Sequence, residues 1–218
     1  MVCSARRIVS MRRIAFLLCA EFFLVACGSK EDSLPYYNTP AFDPLFVADD
    51  EVTEKIPHVI DDFSLTDQHG SAITQKDVEG KVHVANFIFT SCGSICPKMT
   101  NNMKKISHAF DDNVNVVLLS YSVTPWIDSV ARLREYAEVN DIANPNWHLL
   151  TGNKSKIYNL ARTSYFAEED LGFTKDSTEF LHTEHFILVD KNRRIRGIYN
   201  GTLQLEITQL IKDIESLL

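Results

Sequence analysis

Two continuous apolar runs constrain the fold of this chain more than any other sequence feature. They are residues 82–89 (VHVANFIF) and 114–123 (VNVVLLSYSV), and both are rich in β-branched and aromatic residues. Runs without alternating polar positions are typical of strands that are covered on both faces, as in a parallel sheet with helices on either side. We therefore expect an α/β domain with a largely parallel sheet.

Amphipathic segments follow these runs at helical spacing. Residues 97–110 place Met99, Met103, Ile106 and Phe110 on one face of a helix, where we expect the two methionines to be core residues and not thioether ligands. The pattern predicts further helices over residues 128–139, 154–165 and 203–218. It predicts short strands over 147–150, 186–189 and 195–199, and a hairpin around residues 63–73.

The predicted order is a hairpin, then alternating strands and helices, and finally two strands and a helix. The alternating part implies parallel strands with helices on both faces, and the closing ββα unit adds an antiparallel hairpin. This order resembles a thioredoxin-like fold with an N-terminal β-hairpin and an insertion before the C-terminal ββα unit.

The first 26 residues read as a signal peptide. Four arginines between residues 6 and 13 precede an apolar run, residues 14–26, that is too short to span a bilayer comfortably. Small residues then precede Cys27, which resembles the bacterial lipobox. That resemblance implies a lipidated Cys27, a Pro- and acid-rich tether over residues 27–57 and a domain over 58–218, anchored on the extracytoplasmic side of the membrane. An uncleaved N-terminal anchor is the alternative.

Charge and cysteine content exclude two classes of protein. The formal net charge is -7, with 22 basic and 29 acidic residues, whereas a nucleic-acid binder usually has an excess of Lys and Arg. Five cysteines are too few for a disulfide-rich scaffold. If the signal peptide is removed and Cys27 carries lipid, Cys92 and Cys96 are the two thiols that remain for chemistry.

Cys92 and Cys96 lie where the first apolar strand gives way to a helix. The partial positive charge of a helix N-terminus favours thiolate, and the carboxyl ends of parallel strands are where open α/β sheets place their sites. The pair suits either dithiol–disulfide exchange or a soft metal ion such as Cu(I). Three intervening residues, in place of the two of thioredoxin-type enzymes, put both thiols on one helix face. A purely structural disulfide is a third interpretation.

A neutral imidazole would complete a three-coordinate copper site with the two thiolates. Among the seven histidines, His182 and His185 are best placed, because they lead into the first strand of the final hairpin. In a thioredoxin-like fold this entry faces the cysteine junction, and the residues alone do not choose between the two. We expect the other five histidines to be surface or packing residues.

The chain resembles the SCO/SenC family of copper chaperones over about residues 58–218. Residues 90–97 (TSCGSICP) resemble the family's CxxxCP motif, and residues 120–128 (SYSVTPWID) resemble its middle segment. Residues 147–152 resemble its W…LTG element. His182, which lies eight residues before Asp190, matches the family's histidine. The resemblance implies that Cys92, Cys96 and His182, and not His185, bind copper. It implies a role in assembling the dinuclear copper centre of a respiratory cytochrome c oxidase, with the copper-acceptor subunit of this haem-copper oxidase as partner.

The chain also departs from the family pattern. Gly93 stands where family members often have proline. Val123-Thr124-Pro125 stands in place of an Asp-Pro pair that is common in the middle segment. Asp128 is the nearest acidic match to that pair, and we interpret it as a helix cap. The family is also credited with reducing its target's disulfide. In that reaction we expect Cys92, which lies nearer the loop, to be the more exposed cysteine and to attack, and Cys96 to resolve the mixed disulfide.

Three other functions fit the same cysteine pair. The main one is an extracytoplasmic thiol-disulfide oxidoreductase without a metal role. A peroxidase is disfavoured because no arginine lies near Cys92 in the sequence. A copper or redox sensor that acts through a partner is the third.

Overall fold

Seven strands form two sheets in the computed structural model, which describes residues 33–167 and 183–218. The strands are β1 (Ser64–Thr66), β2 (Ala72–Thr74), β3 (Val82–Ile88), β4 (Val116–Ser122), β5 (Trp147–Leu150), β6 (His185–Val189) and β7 (Ile195–Asn200). β1 and β2 pair as a separate antiparallel hairpin, and the central sheet has the order β5-β4-β3-β6-β7.

The helices are α1 (Val52–Lys55), α2 (Gln75–Val78), α3 (Ile95–Ala109), α4 (Val130–Val139), α5 (Lys154–Asn159) and α6 (Gln204–Leu217). A π-helical turn, Leu160–Ser164, continues from α5. With the strands, these elements give the predicted succession of a hairpin, alternating strands and helices, and a closing ββα unit.

The central sheet is parallel in its first half and antiparallel in its second. β3, β4 and β5 run parallel, while β6 pairs antiparallel with β3 and β7 antiparallel with β6. Every residue of β3 and β4 is buried, because α3, α4 and α6 cover one face and the β1–β2 hairpin and α5 cover the other. The prediction of a parallel sheet covered on both faces is therefore confirmed, as is the placement of Met99 and Met103 in the core.

Several helix boundaries differ from the predictions for local reasons. The helix after the cysteines begins at Ile95 and not at Pro97, since a proline is tolerated anywhere in a first turn that lacks intrahelical N–H bonds. The segment 154–165 divides into α5 and the π-helical turn. The helix α2 was not predicted; its start carries a capping box in which the side chains and backbones of Thr74 and Asp77 bond reciprocally.

The segment before residue 58 packs against the domain. Tyr36, Val52 and Ile56 form a small buried cluster. The Arg196 guanidinium lies 3.9 Å from the centre of the Tyr36 ring and donates hydrogen bonds to the carbonyls of Leu34 and Pro35. A side chain of β7 thus holds the first described residues of the chain.

Replacing Arg196 with leucine is expected to lower the free energy of unfolding by about 3 kcal/mol, because Asp190, 7% exposed and paired with Arg196 at 3.4 Å, keeps its charge and loses its cation. Denaturant unfolding of the full chain measures this. The exposed Lys191→Leu variant, in the same hairpin, should change stability by less than about 0.5 kcal/mol. Equal losses in both variants would argue against a specific anchoring role for Arg196.

Three predicted features, the signal peptide at 1–26, Cys27 and His182, lie outside the described residues. Within the described ranges, no helix combines the length and apolar character that a bilayer crossing requires.

Candidate metal centre

The two cysteines lie at the edge of the sheet where two neighbouring parallel strands end. The last pair between β3 and β4 is Ile88 with Ser122, and the Cys92 amide donates to the Phe89 carbonyl at 3.2 Å, which turns the chain sharply after β3. Both thiols are free. Cys92 is half-buried and Cys96 is 3% exposed, which confirms the prediction that Cys92 is the more accessible of the two.

The sulfur of Cys92 takes the place of a capping side chain at the start of α3. Ser94 occupies the N-cap position without making a side-chain cap bond. Burial opposes ionisation of Cys92, but hydrogen bonds from the backbone N–H groups of Cys96, Ser94 and Ile95 and from the Cys96 thiol outweigh it, so the pKa of Cys92 is lowered. The free N–H groups of a helix start therefore stabilise a thiolate.

Cys96 behaves in the opposite way. Burial is the main cause that raises the pKa of its thiol to about 12, and the adjacent Cys92 sulfur and the charge of Asp128 act in the same direction. At neutral pH the pair thus consists of a thiolate-favouring Cys92 and a protonated Cys96 that donates to it. This asymmetry suits both nucleophilic attack by Cys92 and capture of a cation that displaces the Cys96 proton.

Tyr136, on α4, is a half-buried neighbour of the pair. Its hydroxyl is 2.7 Å from that of Thr100, which lies one helical turn after Cys96 on α3. Burial raises the pKa of Tyr136, with contributions from the charges of Cys96, Cys92 and Asp128. Since Cys96 is buried and Cys92 is half-buried, Cys92 is the sulfur that is open to solvent.

A buried carboxylate lies beneath the cysteine turn, and its predicted role as a helix cap is wrong. Asp128 is not a helix cap, because Ser129 caps α4 with a bond from Arg132 N–H. Asp128 is instead 0% exposed and accepts hydrogen bonds from the hydroxyls of Thr90 (2.6 Å), Ser122 (2.6 Å) and Thr124 (2.9 Å). The cluster of hydroxyl residues at the two strand ends was the sequence signal for it.

An arginine also reaches this turn, although none lies near Cys92 in the sequence. Arg132 Nε donates to the Thr90 hydroxyl at 3.1 Å, and its Nη1 pairs with Glu135 at 3.0 Å. The peroxidase was disfavoured because no arginine lies near Cys92 in the sequence. This reason is wrong, since Arg132 lies near the cysteine turn in space. The guanidinium nevertheless bonds the threonine, and the hydrogen bonds that lower the pKa of Cys92 come from the backbone and from Cys96.

Four of the described histidines make side-chain contacts with residues other than the cysteines. His58 stacks on Phe166 at 4.3 Å between ring centroids, and His148 bonds Asp67 at 3.2 Å. His83 is buried against the Tyr165 hydroxyl, and burial lowers its pKa to about 3. The ring of His185 lies edge-on to Phe42, with centroids 6.4 Å apart. These contacts agree with packing roles for His58, His83 and His148.

The described residues offer two sulfur donors that could hold a metal ion. Within residues 33–167 and 183–218, no group of three or more His, Cys, Asp or Glu is placed to hold a metal ion. The available donors are the two sulfurs, which form a soft set suited to Cu(I) and unsuited to hard cations. Any third His, Cys, Asp or Glu ligand at this pair would come from outside these ranges.

Comparison with known proteins identifies the family. The SCO1/SenC family model matches residues 51–218. The SCO1 protein homolog of Bacillus subtilis is 28% identical over 168 residues, which is 76% of this chain and 86% of that protein.

Solved structures give the same result. A SCO1/SenC family lipoprotein from Bacillus anthracis aligns with a TM-score of 0.64 and 30% identity over 73% of this chain and 95% of that one. BsSco, described as a member of the Sco family of cytochrome c oxidase assembly proteins with a disulfide switch, aligns with a TM-score of 0.62 and 29% identity over 73% and 93%. The fold is thus the thioredoxin-like fold of Sco domains, and the chain belongs to the SCO1/SenC family.

Proposed function

We propose that the protein is a copper chaperone that assists assembly of the copper centre of a cytochrome c oxidase. The observation that carries the proposal is the unequal pair of free thiols at the start of α3, in a chain of the SCO1/SenC family. Cys92 offers a thiolate at the surface, while Cys96 is a second sulfur held behind it. Copper is the cargo that suits such a soft donor pair.

His182 is the third ligand that we propose. β6 runs antiparallel to β3, so the start of β6 lies at the sheet edge where β3 ends. Thr183, the first described residue after the gap, is buried just before β6, and its hydroxyl accepts a hydrogen bond from the His185 amide at 3.2 Å. Because residue 182 immediately precedes Thr183 in the sequence, this placement of the start of β6 supports a role for the His182 imidazole in closing a three-coordinate site.

Replacing His182 with alanine is expected to weaken Cu(II) binding at least about a hundredfold, because an imidazole ligand is lost from a site with few donors. Anaerobic titration of the full chain in mild detergent, followed by thiolate-to-copper charge-transfer absorption, measures this. His185→Ala is the matched control and should bind copper as the wild type does.

Dithiol exchange is the second candidate, and the pKa asymmetry favours it. The Cys92 thiolate would attack one sulfur of a target disulfide, break that bond and form a mixed disulfide. The target sulfur released in this first step takes a proton from water. Cys96 would then attack the Cys92 sulfur and lose its proton to the second departing target thiolate, which leaves the target as a dithiol and the pair as a disulfide. A His182→Ala protein with unchanged copper binding would support this function in place of copper delivery.

The partner and the location are part of the proposal. The acceptor is the copper-binding subunit of the oxidase, because a chaperone must present its cargo to the site it builds. We propose that Cys27 carries lipid and holds the domain at the extracytoplasmic face of the cell membrane, where the segment that follows leads to the part of the chain packed under Arg196.

A further inference from the structure

Asp128 is an ionised carboxylate in a fully buried position. The Thr90 hydroxyl accepts from Arg132 Nε and the Ser122 hydroxyl accepts from the Thr124 amide at 3.1 Å. The single hydrogen of each hydroxyl is therefore free to point at Asp128, whose oxygens lie 2.6 Å from both. A carboxyl group that accepts from every neighbour is in its charged form.

This charge is fixed close to the cysteine pair. Asp128 also accepts from the backbone N–H of Thr90 at 3.3 Å, two residues before Cys92, and its charge acts on Cys96. In the described part of the chain, no hydrogen bond or ion pair joins Asp128 directly to a cationic side chain. The negative charge is thus stabilised by hydrogen-bond dipoles and is not cancelled by a cation. Its field therefore reaches the sulfurs, because the buried surroundings have a low dielectric constant.

We propose that Asp128 sets the preference of the site for Cu(II) over Cu(I). The proposal rests on the copper-binding function above. Two thiolates with Cu(I) carry a net charge of one negative unit, whereas the same ligands with Cu(II) are neutral. An adjacent fixed anion therefore favours the Cu(II) complex over the Cu(I) complex.

The ratio of the two affinities isolates this effect. Both complexes form from the same apoprotein and release the same thiol protons, so thiol protonation cancels when Cu(II) affinity is divided by Cu(I) affinity. A variant that merely loosens the cysteine turn weakens both complexes, whereas removal of the charge changes their ratio.

The test compares Asp128→Asn with the wild type as full chains in mild detergent under anaerobic conditions. Competition with bathocuproine disulfonate gives the Cu(I) affinity and competition with glycine gives the Cu(II) affinity. We expect the ratio to fall at least about tenfold in Asp128→Asn. Ser122→Ala is the matched control, since it removes one hydrogen bond to Asp128 and retains the charge, and its ratio should stay within about twofold of the wild type.

Arg132→Gln keeps the proposal testable if Asp128→Asn does not fold. Arg132 is partly exposed and its guanidinium opposes the field of Asp128 at Thr90, so its loss should raise the ratio about twofold. An unchanged ratio in Asp128→Asn, an equal shift in Ser122→Ala, or a lower ratio in Arg132→Gln overturns the role of Asp128. A wild type that binds neither ion overturns the copper function itself, which is a separate outcome.

Discussion

Replacing Cys96 with serine is expected to reduce copper binding from about one ion per chain to less than about 0.1, because a hydroxyl is a hard donor that does not replace a thiolate for copper. Cys96 is the buried member of the pair, and no other described side chain stands ready to substitute for it. Serine is nearly isosteric and preserves the start of α3. Anaerobic titration of the full chain with Cu(I) measures the stoichiometry.

The matched control for Cys96→Ser is Ser94→Ala. Ser94 lies in the same turn but makes no side-chain cap bond, so this variant should bind copper with unchanged stoichiometry. A Cys96→Ser protein that retains one tightly bound copper would show that the metal is held elsewhere, and the proposed centre would then be wrong.

We expect the alkylation rate of Cys92 at pH 7.5 to exceed that of Cys96 at least about a hundredfold. Only the thiolate form of a cysteine reacts with the alkylating reagent. The α3 amides and the Cys96 thiol lower the pKa of Cys92. Burial is the main cause that raises the pKa of Cys96 to about 12. The rate at Cys92 should therefore rise with pH and level off below the range of an ordinary thiol, while Cys96 stays slow throughout. Iodoacetamide labelling with peptide mass spectrometry measures both rates.

The Cys96→Ala variant provides the internal check on this pH profile. It removes a hydrogen-bond donor to the Cys92 sulfur, so the Cys92 profile should move to higher pH. A profile that stays in place would mean that the helix amides alone stabilise the thiolate. Equal labelling of both cysteines in the wild type would contradict the asymmetry that supports attack by Cys92.

Periodicity predicted most of the fold because burial dictates it. The strand at Trp147–Leu150 was predicted with the observed bounds, and the buried runs around β3 and β4 were predicted within two residues at each end. Residues 34–57 were harder to predict, since proline and acid suggested a tether. Their attachment depends on Arg196, whose contacts with Leu34 and Pro35 join residues more than 160 positions apart.

The cysteine site was predictable because its signal is local, whereas the surroundings of the pair were not. Cys92, Cys96 and Pro97 are close together in the chain, at a strand end that pattern alone locates. The contacts of Asp128 and Arg132 with Thr90 span 38 and 42 residues. They form only because β3 and β4 are neighbours, and no spacing in the sequence specifies which side chains of two adjacent loops will meet.

The capping of α3 by Cys92 has a consequence beyond reactivity. The Cys92 sulfur that accepts hydrogen bonds from the first amides of the helix is also the atom that a metal ion, a second sulfur or a target disulfide engages, and each of these draws electron density away from those hydrogen bonds. Every productive event at the site is therefore a competition with the protein's own backbone, and release of cargo restores a bond that loading had weakened. In the proposed copper site, the first turn of α3 would therefore favour reversible binding, and hence transfer of copper to an acceptor over permanent storage.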